Sequence, residues 1–191
     1  MEKVLERAKN IILGPTEALT AVKNETTTVT GLMKEYVIFV AAIPAVAQFL
    51  GLFLFGHFPF FRSLIFAACS YILSLVGVVV VGKVVDLLAP SFNSTKSDLN
   101  SFKLAVYSLT PGFVAGIFSL IPALGMLAFL GSLYGVYVLY IGLPVLMGTP
   151  NDKRPIYTVA VIVVVIVVMV IVSAIAGAIA WSGGMRPSLY L

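Results

Sequence analysis

The sequence predicts an all-α, polytopic membrane protein: a bundle of five transmembrane helices preceded by an amphipathic helix. Three observations carry this. Of 191 residues, 60% are hydrophobic and only 10% charged, against roughly 25% charged in an average soluble domain. Too little polar surface is left to cover a particle in water. The apolar residues also fall in long runs, each of about 20 residues or more, the length of a helix that crosses a bilayer. Finally, Lys and Arg collect on alternate sides of those runs, as the positive-inside rule requires.

Residues 1–35 read as a cytoplasmic amphipathic segment. Val4, Leu5, Ala8, Ile11 and Ile12 share one helical face, and Glu2, Lys3, Glu6, Arg7 and Lys9 the other. Such a helix is expected to lie on lipid or on the ends of the spans. Gly14 and Pro15 end it, and a second short helix runs from Pro15 to Lys23. Thr28 or Thr30 is the expected N-cap of the next helix. This segment has no signal-peptide apolar region, so the first span is expected to act as its own uncleaved insertion signal.

Residues 36–191 read as the membrane domain, with spans at 36–55, 63–88, 104–121, 124–147 and 157–181. Gln48 is the only strongly polar side chain of the first span. Phe58, Phe60 and Phe61 beside Arg62 look like an interfacial anchor, and Pro90 stops the second span. Ser97 is a plausible N-cap for the third. The stretch from Leu104 to Asn151 carries no charge and is too long for one helix. It suits a pair joined by a hairpin near Ile121-Pro122-Ala123. The fifth span is rich in valine and isoleucine. With five spans, Lys3, Arg7, Lys9, Lys23, Lys34, Lys83, Lys96, Lys103, Lys153 and Arg154 share one side, and only Arg62 and Arg186 the other. The N-terminus is therefore expected in the cytoplasm and the C-terminus outside.

The net charge of +4 does not indicate nucleic acid, because the basic residues form no stripe interleaved with aromatics. Cys69 reads as a packing residue within an apolar run. His57 has no second soft ligand near it, so no metal is expected. No nucleophile elbow, P-loop, HExxH or dinucleotide fingerprint occurs, and neither catalysis nor a cofactor is expected.

The candidate polar residues lie in two places. Lys83 and Asp86, three apart on one face, either mark an ion path or sit at the lipid boundary, Lys83 snorkelling and Asp86 pairing with it. Tyr107, Ser108, Thr110 and Pro111 interrupt the third span. Pro111 removes the N–H that would bond the Tyr107 carbonyl. The freed groups could coordinate a ligand, as broken helices do in transporters, or simply give a kink re-satisfied by the hydroxyls. Gly112 and Gly116, and Gly131 and Gly135, form two GxxxG pairs, expected to pack the third span on the fourth or to form a homodimer face. Tyr134, Tyr137 and Tyr140 form a stripe suited to hydrogen bonds between helices.

The ordered set YSLTPGFVAGI (107–117), LIPALG (120–125) and LYGVYVLYIGLPVLM (133–147), with ILGPTEA (12–18), TTVTGLMKEYV (27–37) and AAIPAVAQFLG (41–51), resembles the Yip domain family in its prokaryotic branch. The resemblance covers nearly the whole chain and implies five spans with a cytoplasmic N-terminus in an inner membrane. Eukaryotic members bind prenylated Rab-type GTPases. This chain lacks their long cytoplasmic extension and its Asp-Leu-Tyr-Gly-Pro motif, of which only Gly14-Pro15 remains, and that puts Rab binding in doubt. The expected function is a non-enzymatic membrane scaffold or adaptor, with the lipid bilayer and a homo-oligomer or partner membrane protein as its partners. The alternative is a small transporter or channel component that uses the Pro-broken third span.

Overall fold

The computed structural model describes residues 2–56 and 58–182. Every regular element among them is helical. Helices α1 (Glu2–Leu13) and α2 (Pro15–Lys23) form a hairpin turned at Gly14. Pro15 opens α2, where its missing N–H is one that the helix would leave unpaired anyway. Ile11, Leu19 and Val22 join the central core. The expected apolar face of α1 is divided. Ala8 and Ile11 are buried, Val4 and Ile12 half-buried, and Leu5 is 62% exposed. The stripe is wider than its line of contact with the spans, which leaves Leu5 and Leu13 free to meet lipid.

Helix α3 (Val29–Leu54) starts earlier than the first apolar run. Thr28 caps it, accepting a hydrogen bond from the Gly31 N–H at 3.0 Å. No breaker separates that cap from Tyr36, so the helix begins outside the hydrocarbon with Lys34 and Glu35 exposed. A π-helical turn spans Met33–Val37. Helix α4 (Phe60–Leu88) comes next and closes in a 3-10 turn, Ala89–Phe92, at Pro90. Helix α5 (Asp98–Ala115) is capped by Ser97, whose hydroxyl accepts from the Asn100 N–H.

The interruption expected at Pro111 is not a break. The helix runs through it to Ala115 and then tightens into a 3-10 segment, Gly116–Leu120. The Thr110 hydroxyl donates to the Val106 carbonyl at 2.9 Å, and that of Ser108 to Ala105 at 3.0 Å. Packing on both sides holds the turn in place. Helix α6 (Gly125–Met147) ends at Gly148, whose positive φ of 63° lets its N–H reach the Leu143 and Pro144 carbonyls; this is the usual glycine solution at a helix C-terminus. Helix α7 (Arg154–Ser182) is last.

Among the described residues, four stretches are long and apolar enough to cross a membrane: Val29–Leu54, Phe60–Phe92, Asp98–Leu120 and Gly125–Met147. In α7 the stretch Arg154–Val167 is apolar but shorter than a span. Most side chains of the expected fifth span beyond Val167 lie outside the described residues, as do His57 and the tail with Arg186. Helix α5 is the hub. It makes its broadest contact with α6 and packs also on α4, α3 and the α1–α2 hairpin. Its residues Ser101 to Ser108 are all buried.

Candidate functional site

The N-terminal hairpin and the central helix share a polar cluster. The polar face of α1 turns Arg7 inward over α5. Its Nη2 donates to the Glu25 carboxylate at 2.6 Å and its Nη1 to the Tyr107 hydroxyl at 3.1 Å. The guanidinium also lies over the Tyr36 ring, 5.8 Å from its centroid, within reach of a cation–π attraction. Tyr36 and Tyr107 are in contact, with centroids 5.6 Å apart. The Tyr36 and Thr110 hydroxyl oxygens are 3.1 Å apart. The single Thr110 proton goes to Val106, so Tyr36 is the donor in this pair. Burial works against the Arg7 charge, but the Tyr107 oxygen and the Glu25 carboxylate outweigh it and hold its pKa above the ordinary value.

Lys103 completes the cluster from α5. The residue is 1% exposed, and its Nζ donates to the carbonyls of Val22 and Glu25, both at 2.8 Å. Val22 is in the last turn of α2 and Glu25 lies just past its end, where the helix dipole favours a cation. The ammonium therefore clamps the hairpin onto the spans. Tyr134 adds a third tie, donating to the Ile12 carbonyl at 2.8 Å.

Lys83 and Asp86 are not paired with each other. Lys83 is exposed and binds the Asp98 carboxylate at 2.7 Å. Asp86 is 4% exposed and accepts from the Ser97 N–H at 3.0 Å and the Ser101 hydroxyl at 3.2 Å. The first turn of α5 folds back against the end of α4, so each residue finds a nearer partner there. Thr95 N–H donates to the Met147 carbonyl at 2.8 Å, Ser94 and Thr149 share a hydrogen bond of 2.8 Å, and Tyr157 donates to the Val85 carbonyl. Asp86 thus anchors the loop at the common end of α4, α5 and α6.

The four glycines divide between two interfaces. Gly112 faces Ser132. A Cβ at Gly131 would collide with Ala115 Cβ and the Pro111 carbonyl, and one at Gly135 with the Ser108 carbonyl oxygen. These three pack α5 on α6. Gly116 does not. A Cβ there would lie 2.5 Å from Pro44 Cβ in α3. Gly116 opens the 3-10 segment and packs on α3, while Gly112, one turn earlier in α5, packs on α6. Gly51 of α3 meets the same segment at the Ser119 and Leu120 carbonyls. Cys69, expected as a packing residue, is exposed on α4, where lipid can cover it. In the tyrosine stripe, Tyr134 reaches α1, the Tyr140 ring lies under Arg154 at 5.1 Å, and Tyr137 is 50% exposed.

Sequence reasoning singled out Tyr107 and Thr110 and missed Arg7, Glu25, Tyr36 and Lys103 as their company. One signal was present: Lys103 is six residues past the Ser97 cap, well inside the helix and not at its edge. Among the described residues no group of three or more His, Cys, Asp or Glu side chains gathers to hold a metal.

The Yip1 domain model matches residues 9–173. The chain is similar to inner membrane protein YohC of Escherichia coli (strain K12), 26% identical over 151 residues, or 73% of this chain and 77% of the relative. The protein of the same name in Escherichia coli O6:H1 matches with the same identity and coverage. No solved structure matches. The family match takes in the C-terminal part of α1, the whole of α2 and the four apolar stretches: the chain belongs to the Yip1 domain family.

Proposed function

We propose that the protein is a non-enzymatic scaffold or adaptor of a prokaryotic inner membrane, acting by helix packing with itself or with partner membrane proteins. One observation carries the reading. The polar groups around Pro111 are engaged with other protein groups, within α5 or across to α1 and α3. Tyr107 and Thr110 are 0% exposed, and their hydroxyls bond Arg7, Tyr36 and Val106. A transporter that used the third span would need those groups to face a wet path. A cleft of about 190 Å³ does open beside Ser108, but Val81, Leu139, Val161 and Val165 make its lining mostly apolar. The inner-membrane assignment draws on the name of the relatives, together with the apolar helices. The five-span count, with the N-terminus in the cytoplasm and the C-terminus outside, draws on the Lys and Arg distribution.

Affinity purification of the tagged protein from solubilised membranes, with mass spectrometry and sizing of what is recovered, tests the proposal. A second copy or a defined membrane partner in fixed ratio is the expected result. A monomer that recovers no partner, yet moves a solute across reconstituted vesicles, would overturn it.

A further inference from the structure

We propose that the notch between α1 and α3 is a binding site for one anionic glycerophospholipid. Two adjoining spaces make it. The first, about 360 Å³, is lined by Lys3, Arg7, Lys34, Glu35, Tyr36 and Phe39 and also touches Val4. The second, about 400 Å³, lies on the apolar side of α1, where Val4, Leu5, Ile43, Val114 and Ile117 contribute to an almost wholly apolar wall. Val4 borders both, so a basic chamber and an apolar groove lie side by side at α1.

The chamber has charge to offer. Arg7 is engaged with Glu25 and Tyr107. Lys3 and Lys34 are exposed and take part in no ion pair among the described residues. Glu35 is the one acidic side chain that lines the space, which leaves an excess of positive charge for a phosphate. The groove has the complementary chemistry. Its outer walls are apolar and open, with Leu5 62% and Ile117 53% exposed. Water gains nothing there, whereas an acyl chain removes apolar wall from contact with anything polar. An amphipathic helix at the interface meets headgroups on one side and chains on the other, and the π-helical turn Met33–Val37 carries Lys34, Glu35 and Tyr36 of the basic chamber. A glycerophospholipid with an anionic headgroup satisfies both spaces with one molecule.

The experiment uses the full-length protein in neutral detergent, with phosphatidylglycerol, phosphatidylcholine and inorganic phosphate as probes, and reads retained lipid by native mass spectrometry beside the melting temperature. Phosphatidylglycerol should be retained in preference to phosphatidylcholine and should raise the melting temperature. Lys3→Gln with Lys34→Gln should lower that retention roughly thirtyfold, as expected when two lysines near a lipid phosphate are neutralised. The melt without lipid should stay that of wild type, because neither lysine is paired. Ile117→Trp, which fills the groove and leaves the lysines intact, should also lower retention. Equal retention of the two lipids, unchanged retention in either variant, or an equal melting shift from phosphate alone would overturn the site.

Discussion

Lys103 shows how a single residue can hold an element that its own sequence barely stabilises. Helix α2 is a Pro15–Lys23 segment of 9 residues, too short to persist alone in water. The Val22 carbonyl in its last turn and the Glu25 carbonyl just past its end find the Lys103 ammonium inside the bundle. Lys103→Met keeps the apolar stem and removes the donors, taking from the half-buried Glu25 carbonyl its Lys103 partner while the Val22 carbonyl keeps the Glu25 N–H. The expected loss is about 1–3 kcal/mol, read as a lower melting temperature in detergent and as faster proteolysis near residue 24. Arg7 and Tyr107 give a second test. They lie 100 residues apart in the chain and are joined by one hydrogen bond. The cycle of Arg7→Met, Tyr107→Phe and the double variant should report a coupling of about 1 kcal/mol; additive effects would mean that the contact contributes nothing. The polarity of Tyr107 and Thr110 beside a proline was legible in the sequence. Their partners were not, because periodicity along one helix carries no information about which distant side chain will fold over it.

Elements were far more legible than their partners. The apolar periods gave α1, α2 and the four apolar stretches, and the caps at Thr28 and Ser97 fell where serine and threonine chemistry puts them. Boundaries moved outward because helix continues beyond the apolar run wherever no breaker stops it. The glycines illustrate the remaining gap. A GxxxG pair says that a backbone comes close, not which one: Gly116, at the start of the 3-10 segment, meets α3 while Gly112 meets α6. Substitution can separate the two interfaces. Gly131→Ala should cost about 1–3 kcal/mol by overpacking, and adding Ala115→Gly should recover part of it, since Ala115 Cβ is the nearest obstacle and the Pro111 carbonyl remains. Gly116→Ala should cost a similar amount, but Ala115→Gly should not relieve it, because its obstacle is Pro44. Val163→Leu, on a residue 52% exposed, should leave the melt close to wild type. A full rescue of Gly116→Ala by Ala115→Gly would mean that Gly116 packs on α6 after all.

At the scale of the whole molecule, charge placement and packing are two records of one membrane. Inside hydrocarbon, apolar side chains gain little by leaving lipid for one another, so helices associate through close contacts and hydrogen bonds. The buried ties of this protein obey that rule. The α5–α6 contact depends on glycines, while Arg7, Glu25, Lys103, Asp86 and Ser101 gather around the ends of the helices that carry most of the Lys and Arg. Clustering the costly polar groups where water and headgroups begin lowers the penalty for ordering them. The same asymmetry fixes a testable topology. The turn after α6 carries Asp152, Lys153 and Arg154, which in a five-span topology would share a side with eight other basic residues, ten of the twelve. Translocating that turn would carry Lys153 and Arg154 through the bilayer against the positive-inside bias. In a Cys69→Ser background, Lys153→Cys should react with an impermeant maleimide only when the cytoplasmic face is open. Arg186→Cys should react in intact cells, because a complete fifth span would carry the tail across. The reverse pattern would overturn the charge argument. Labelling of both positions from the cytoplasmic face alone would leave α7 on one side of the membrane and reduce the fold to four spans.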